Sequence, residues 1–291
     1  MYRFIYAWIL YDPIRLAEYN FLSLLEQHRY PLLTDFFLVF TLLGTQYFYM
    51  TLIPVMFVLF DREKASVFAS VILISLLTNA LIKNYFAIPR PSPEVINQLF
   101  PALATGFSFP SGHAQGSMTL WGLIALDNKH SKKLVFISAV MIILISFSRL
   151  YFAVHFPLDI LGGWMFAIAV LGVYTLMRHY KVNIPYWAAL VIFIAIAVIA
   201  PQSRSLKVSA TLAGMYLGMI FSNRIPSKTG ANLSIWLNIM FILSGGAGII
   251  ACSKALGVFP WLMYSLLGLW MSFIYPYTLN KIIKRINSSS C

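Results

Sequence analysis

Charge is what this sequence has least of. Asp, Glu, Lys and Arg make up 10% of its 291 residues, where a soluble domain carries about 25%. With 60% hydrophobic residues, that shortage argues against an ordinary soluble fold and makes lipid the expected solvent. Acidic side chains are scarcer still: nine Asp and Glu stand against twenty-one Lys and Arg, a formal net charge of +12. In a soluble chain such an excess would suggest nucleic acid. Here the basic residues lie between apolar runs, where they set orientation in a membrane, and no nucleic-acid partner is expected. The two cysteines, Cys252 and Cys291, have no metal-type spacing, which argues against a disulfide framework or a zinc site. No cleavable leader is expected either, because Asp12, Pro13 and Arg15 break the apolar start early. No internal repeat or low-complexity tract is visible.

What is present is a series of long apolar runs. A membrane-crossing helix needs roughly 17–25 mostly apolar residues. The expected spans are 36–60, 64–84, 113–127, 134–151, 158–177, 185–201, 206–222, 233–251 and 257–277. The fold class expected is therefore all-α: a polytopic membrane helical bundle of about nine transmembrane helices. The span 113–127 is short and carries Gln115, Ser117 and Thr119, so it is expected to face protein or a cavity. The pair 185–201 and 206–222 is alternatively a re-entrant hairpin. Residues 1–33 form an interfacial N-terminal segment in which aromatics mix with Arg3, Arg15, Glu18 and Arg29. Residues 34–178 form a core, and 179–291 add further helices and a basic tail. "SGGAG" at 244–248 is expected to allow close helix packing. Twelve of the twenty-one Lys and Arg fall on the loops of one side, which the positive-inside rule makes cytoplasmic. The other side then faces the periplasm, the cell exterior or an organelle lumen.

Three polar patches interrupt the apolar pattern on that outer side. They are "KNYFAIPRP" with Lys83 and Arg90, "PSGH" at 110–113, and "SRLYFAVHFPLD" with Arg149, His155 and Asp159. Each residue alone has an ordinary reading. Lys83 would be a snorkelling lysine, Arg149 an interfacial anchor, His113 a helix-cap residue, and Asp159 an acid in a helix's first turn. None of these readings explains why all of them fall on one face, at the ends of consecutive helices. Ionisable groups near a membrane core are costly and gather around sites. Three fixed cations suit a tetrahedral dianion, since Arg90 and Arg149 each offer a two-pronged donor and Lys83 a point charge. Ser111 supplies a hydroxyl, Gly112 lets backbone approach a ligand, and the helix start at "PSGH" aims N–H groups at an anion. Pro157 favours the first helical position, which places Asp159 in the first turn and His155 just ahead of it. Asp159 can then hold one ring nitrogen of His155 and leave the other as a nucleophile. His113 has no acidic neighbour in sequence and is the better general acid for the leaving oxygen.

At these residues the chain resembles the type 2 phosphatidic acid phosphatase (PAP2) superfamily. That pattern is Lys-x6-Arg-Pro, Pro-Ser-Gly-His and Ser-Arg-x5-His-x3-Asp. Here it reads Lys83 to Arg90-Pro91, Pro110-Ser111-Gly112-His113, and Ser148-Arg149 to His155 to Asp159, without internal departure. The resemblance implies a phosphatase that needs no metal and no other cofactor and works through a phosphohistidine. His155 would be nucleophile, Asp159 its partner and His113 the acid, while Lys83, Arg90, Ser111, Gly112 and Arg149 bind phosphate. The added C-terminal helices look like the glucose-6-phosphatase and sphingosine-1-phosphate phosphatase branches. The expected substrate is a lipid phosphate with its tails among membrane lipids. The alternatives are a soluble sugar phosphatase, a lipid phosphotransferase and, outside enzymes, a phospholipid transporter or binding protein. Leu99, Phe100 and Phe107, in the loop before "PSGH", are expected to line the path by which a lipid arrives. Oligomeric state has no signature in the sequence.

Overall fold

The computed structural model describes residues 13–104, 106–200, 203–222 and 234–289. The described residues are helical with no strand. The helices are α1 (Pro13–Gln27), α2 (Pro31–Leu42), α3 (Gln46–Leu59), α4 (Arg62–Phe86), α5 (Gly112–Asp127), α6 (Lys132–Tyr151), α7 (Pro157–His179), α8 (Tyr186–Ile199), α9 (Ser203–Phe221), α10 (Ile235–Ala255), α11 (Pro260–Leu269) and α12 (Tyr275–Ser289). A five-residue π segment, Trp270–Ile274, joins the last two. Starts follow local chemistry. Pro31, Pro157 and Pro260 open helices, where the missing N–H costs nothing. Ser111, Ser131 and Ser234 cap α5, α6 and α10 by accepting from the N–H three residues on.

The chain divides into two compact units. One holds residues 1–48 and 78–172, the other 49–77 and 173–291. In the first, Leu22 of α1, Ile96 of the long loop, Ala114 of α5, Leu150 and Ala153 at the end of α6, and Phe156 and Ile160 at the start of α7 form one apolar cluster. A second joins Phe37 of α2 to Tyr151, Phe152 and Val154. Both clusters lie around the 150–160 turn, so packing converges where the third polar patch sits. Small residues bring the backbones together. A Cβ on Gly163 would lie 2.7 Å from the Ser111 carbonyl, and one on Gly162 2.3 Å from the Phe109 ring. Trp164 donates its indole N–H to Ser146 at 2.9 Å, joining α7 to α6.

In the second unit, α8 and α9 pack through a stacked Phe193–Tyr216 pair with centroids 5.6 Å apart. The Tyr216 hydroxyl lies 2.9 Å from that of Ser70. Helices α9 and α11 meet where Gly214 and Gly268 leave no room for a side chain. Within the "SGGAG" stretch it is Gly245 that allows close packing, because its Cβ position is filled by the Trp270 ring. Gly248 has open space around it.

The expectation of nine spans is not confirmed. Among the described residues four helices are long and apolar enough to cross a membrane: Arg62–Phe86, Lys132–Tyr151, Pro157–His179 and Ile235–Ala255. Pro31–Leu42 with Gln46–Leu59 makes a fifth if the broken pair is one span. The reasons are local. The runs at 113–127 and 185–201 give helices of 16 and 14 residues. The run at 206–222 belongs to a helix that opens with Ser203, Arg204, Ser205 and Lys207. The run at 257–277 is divided by the π segment. Helix α5 buries Gln115, Ser117 and Thr119, so its polar side chains face protein.

Candidate active site

All eight residues singled out from sequence lie in the first unit. Lys83 stands in the last turn of α4, almost fully buried, and donates to the carbonyls of Phe107 and Ser108 at 2.7 and 2.9 Å. Arg90 reaches from the following loop. Its Nε donates to the Gly106 carbonyl at 2.9 Å, and its terminal nitrogen Nη1 to the Val154 carbonyl at 2.6 Å. The same nitrogen lies 2.9 Å from His155 Nε2. Gly106 takes a φ of +73°, a conformation natural to glycine. The carbonyls of Gly106, Phe107 and Ser108 thus all turn toward cations.

His155 lies between α6 and α7. The chain reverses there at Ala153, which adopts a left-handed φ of 52°. That turn lets the Val154 N–H return to the Arg149 carbonyl at 3.2 Å, closing the end of α6. His155 Nδ1 is 3.3 Å from Asp159 Oδ2 and 3.3 Å from the Ser108 hydroxyl. Oδ2 also accepts from Ser108 and, at 2.8 Å, from the Phe156 N–H. Burial, followed by the charges of Arg90, Lys83 and Arg149, holds the His155 imidazole well below the usual histidine range. It is therefore neutral near pH 7. With Nδ1–H directed at oxygen acceptors, the lone pair sits on Nε2, toward Arg90.

Ser111 and Gly112 begin α5. The Ser111 N–H donates to the Asp159 carbonyl at 2.9 Å, which ties the "PSGH" turn to α7. A Cβ on Gly112 would sit 3.1 Å from Asn79 Oδ1. Asn79 itself donates to the Pro110 carbonyl and to Gln115, so α4 braces the turn from behind. His113 bonds the backbone of Thr41, while its Nε2 is buried with no protein partner. Its ring lies against Gly44, where a Cβ would come within 2.4 Å. Arg149, 1% exposed, donates to the Thr41 hydroxyl and, at 3.4 Å, to the Leu103 carbonyl. Thr41 therefore positions both His113 and Arg149.

The structure brings the three patches together. Arg90 touches His155, Ser111 touches Asp159, and Lys83 is linked to Asp159 through Ser108. Several supporting residues were not among the expected site residues: Ser108, Thr41, Gly44 and Asn79, and Glu18, which was expected only as an interfacial charge. Glu18 sits on α1 and accepts the Leu158 N–H at 2.8 Å and Arg15 at 2.8 Å, holding the start of α7. Burial pushes its carboxyl above the ordinary range despite those donors. Tyr19 accepts the Ser92 N–H, and Arg29 donates to the carbonyls of Tyr151 and Asn97. So α1 binds both loops of the site, while residues 1–12 of the expected N-terminal segment lie outside the described residues. Leu99 packs into the Phe37–Tyr151–Phe152 cluster rather than lining a path, whereas Phe100 and Phe107 are exposed. Among the described residues no group of three or more His, Cys, Asp or Glu is placed to hold a metal ion.

Residues 64–183 match the model of the PAP2 superfamily. This chain carries a PAP2 superfamily domain. All eight site residues fall inside it. Among curated relatives, phosphatidylglycerophosphatase B of Bacillus subtilis (strain 168) is 31% identical over 97 residues, covering 30% of this chain and 45% of that protein. Undecaprenyl-diphosphatase of Sulfolobus acidocaldarius is 38% identical over 61 residues, 21% of this chain and 29% of that protein. The chain thus spans less than half the length of the curated relatives it matches. The crystal structure of a transmembrane PAP2-type phosphatidylglycerolphosphate phosphatase from Bacillus subtilis superposes with a TM-score of 0.54 at 25% identity, covering 61% of this chain and 91% of that one. With its long apolar helices, the PAP2-domain chain is a multi-pass membrane protein.

Proposed function

We propose that this protein hydrolyses a phosphomonoester or pyrophosphate of an amphiphilic lipid through a phosphohistidine. The observation that carries the reading is the setting of His155: Nδ1 is engaged by Asp159 and Ser108, and Nε2 meets the Arg90 guanidinium. A phosphoryl group drawn in by Arg90, Lys83 and Arg149 takes over the guanidinium donors and meets the Nε2 lone pair. Nε2 forms a bond to phosphorus as the bond to the leaving oxygen breaks. His113 Nε2 gives its proton to that oxygen, and the dianion beside it favours the protonated ring needed for this. Water then attacks the phosphohistidine, its proton returns to His113, and phosphate leaves with the Nε2 lone pair restored. The three cations and the α5 N-terminus stabilise charge on the equatorial oxygens, so no metal or cofactor is needed. The names of the relatives, one acting on phosphatidylglycerophosphate and one on undecaprenyl diphosphate, support a lipid substrate. The active site faces away from the cytoplasm, and α1 lies along the membrane interface with Ile14, Leu16 and Leu24 exposed.

The test is phosphate release by purified protein in detergent from a panel of long-chain phosphates and diphosphates, with and without chelator. Release should be unaffected by chelator, and acid-labile, base-stable phosphate should be trapped on the wild type but not on His155→Ala. No release from any substrate, or loss with chelator that magnesium restores, overturns the reading.

A further inference from the structure

Ser108 stands outside all three sequence blocks, yet the first and the third both bond to it. Its carbonyl accepts from Lys83 at 2.9 Å. Its N–H donates to the Ile88 carbonyl at 2.7 Å, two residues before Arg90. Its hydroxyl donates to Asp159 Oδ2 and lies 3.3 Å from His155 Nδ1. The side chain has no exposed surface. The two backbone bonds need no particular side chain, so the hydroxyl at this position has a separate task.

A hydroxyl has one proton and two acceptor lone pairs. Donated to Asp159, the proton leaves the lone pairs facing the Nδ1–H of His155. The imidazole proton then has two acceptors at equal distance, Ser108 Oγ and Asp159 Oδ2. The 3.3 Å His–Asp separation is long for a charge-assisted bond, so the carboxylate alone holds the ring loosely. Ser108 closes a three-membered arrangement that fixes the ring plane and disperses the carboxylate charge.

We propose that Ser108 is a positioning residue for the nucleophile: its hydroxyl joins Asp159 to His155 and fixes the tautomer that leaves Nε2 free. The inference rests on the phosphohistidine reading. Ser108 does not touch the reacting phosphorus; it acts through His155. The charged and titratable groups set toward His155 are Asp159 from α7, Arg90 from the loop, Lys83 from α4, Arg149 from α6 and His113 from α5, with Arg15 and Glu18 of α1 beyond Asp159. Of these, replacing Ser108 directly alters the hydrogen bonding of Asp159 and His155 alone.

The experiment compares wild type, Ser108→Ala and Ser108→Cys in one detergent with one long-chain substrate. Cys keeps the side-chain shape but is a weak donor. The proposal expects kcat to fall roughly 10–100-fold in both variants, the scale of a misplaced reacting group, with KM within about twofold. It also expects the acid limb of the rate profile to move to higher pH. Without the hydroxyl donor the carboxylate charge is less dispersed and favours the imidazolium, so nucleophile is lost at a higher pH. Substrate ionisation is common to all three proteins and cancels in the comparison. Affinity for inorganic phosphate as a competitive inhibitor, which reports the cationic pocket, should stay near wild type. A variant with wild-type thermal unfolding that keeps kcat within twofold and an unmoved acid limb overturns the proposal. So does equal loss of kcat and inorganic-phosphate affinity, the mark of general site disruption. If wild type releases phosphate but His155→Ala is equally active, the phosphohistidine reading fails instead, whatever Ser108 does.

Discussion

The proposed mechanism requires a neutral His155, and the surroundings of the ring favour that form. Burial is the larger cause and Arg90 the next, and the sign of each is fixed: both oppose adding a proton. Activity should therefore persist below the ordinary histidine value of about 6.5 and be lost only as pH falls through the depressed value. Arg90→Gln removes a positive charge 2.9 Å from Nε2. The imidazolium then forms more easily, and the acid limb should move to higher pH, alongside a weaker KM from the lost phosphate donors. A rate profile whose acid limb stays in place would show that Arg90 does not control the ionisation of His155. The pairing of His155 with Asp159 was readable in the sequence because both belong to one short segment and Pro157 marks the helix start between them. Thr41 was not readable, because it meets Arg149 across 108 residues of chain. Ser108 bonds Asp159 across 51. A lone serine or threonine in an apolar run has no pattern of its own; only the fold gives it a partner.

Elements aim these residues through their ends and their breaks. The interruption between α2 and α3 reads in sequence as part of one apolar run at 36–60. In the structure it is where the His113 ring rests on Gly44. A Cβ at Gly44 would come 2.4 Å from His113 Cδ2 and 2.9 Å from Ile145 Cγ2. No side chain shares that space, so Gly44→Ala must displace the imidazole from the Thr41 carbonyl or push α6 aside. We expect a kcat loss of at least about tenfold, and a stability loss of about 1–3 kcal/mol, the usual cost of overpacking. If His113 is the acid, as proposed, the loss should be greater for substrates with a basic leaving oxygen, which need its proton. With an activated aryl phosphate, whose leaving group needs little protonation, Gly44→Ala should approach wild type. Equal loss on both substrates would mean that the break does not serve the acid. Helix α1 gives a parallel lesson. Its charges read as an interfacial surface, but Glu18 is buried against the Leu158 N–H. A carboxylate 140 residues from the N–H that donates to it looks in sequence like any other charge on an amphipathic helix.

Across the whole molecule, apolarity was the most legible property, but it did not by itself fix the number of spans. Mean composition separates lipid from water as solvent, but it does not separate a helix that crosses the membrane from one that packs inside the protein. Helix α5, with 16 residues and buried Gln115, Ser117 and Thr119, falls short of the length expected of a crossing helix. The same distinction bears on substrate. Phe86, Phe100 and Phe107 are each 40–50% exposed in the unit that holds Arg90 and Lys83. Exposed aromatic rings beside a cationic pocket suit a ligand with a phosphate head and a hydrocarbon body. If the tails stay in apolar surroundings throughout, each CH₂ kept from water is worth roughly 0.8 kcal/mol. A sugar phosphate has no such groups and should rely on the cations alone. We expect kcat/KM to rise with chain length across a series of alkyl phosphates in one detergent, and to exceed that for glucose 6-phosphate by at least about a hundredfold. Phe107→Ser should lower kcat/KM for long chains while leaving the shortest member and the sugar phosphate near wild type, because the cationic groups are untouched. Equal or better use of the sugar phosphate would instead assign the pocket to a soluble substrate and leave the aromatic surface to the surrounding lipid.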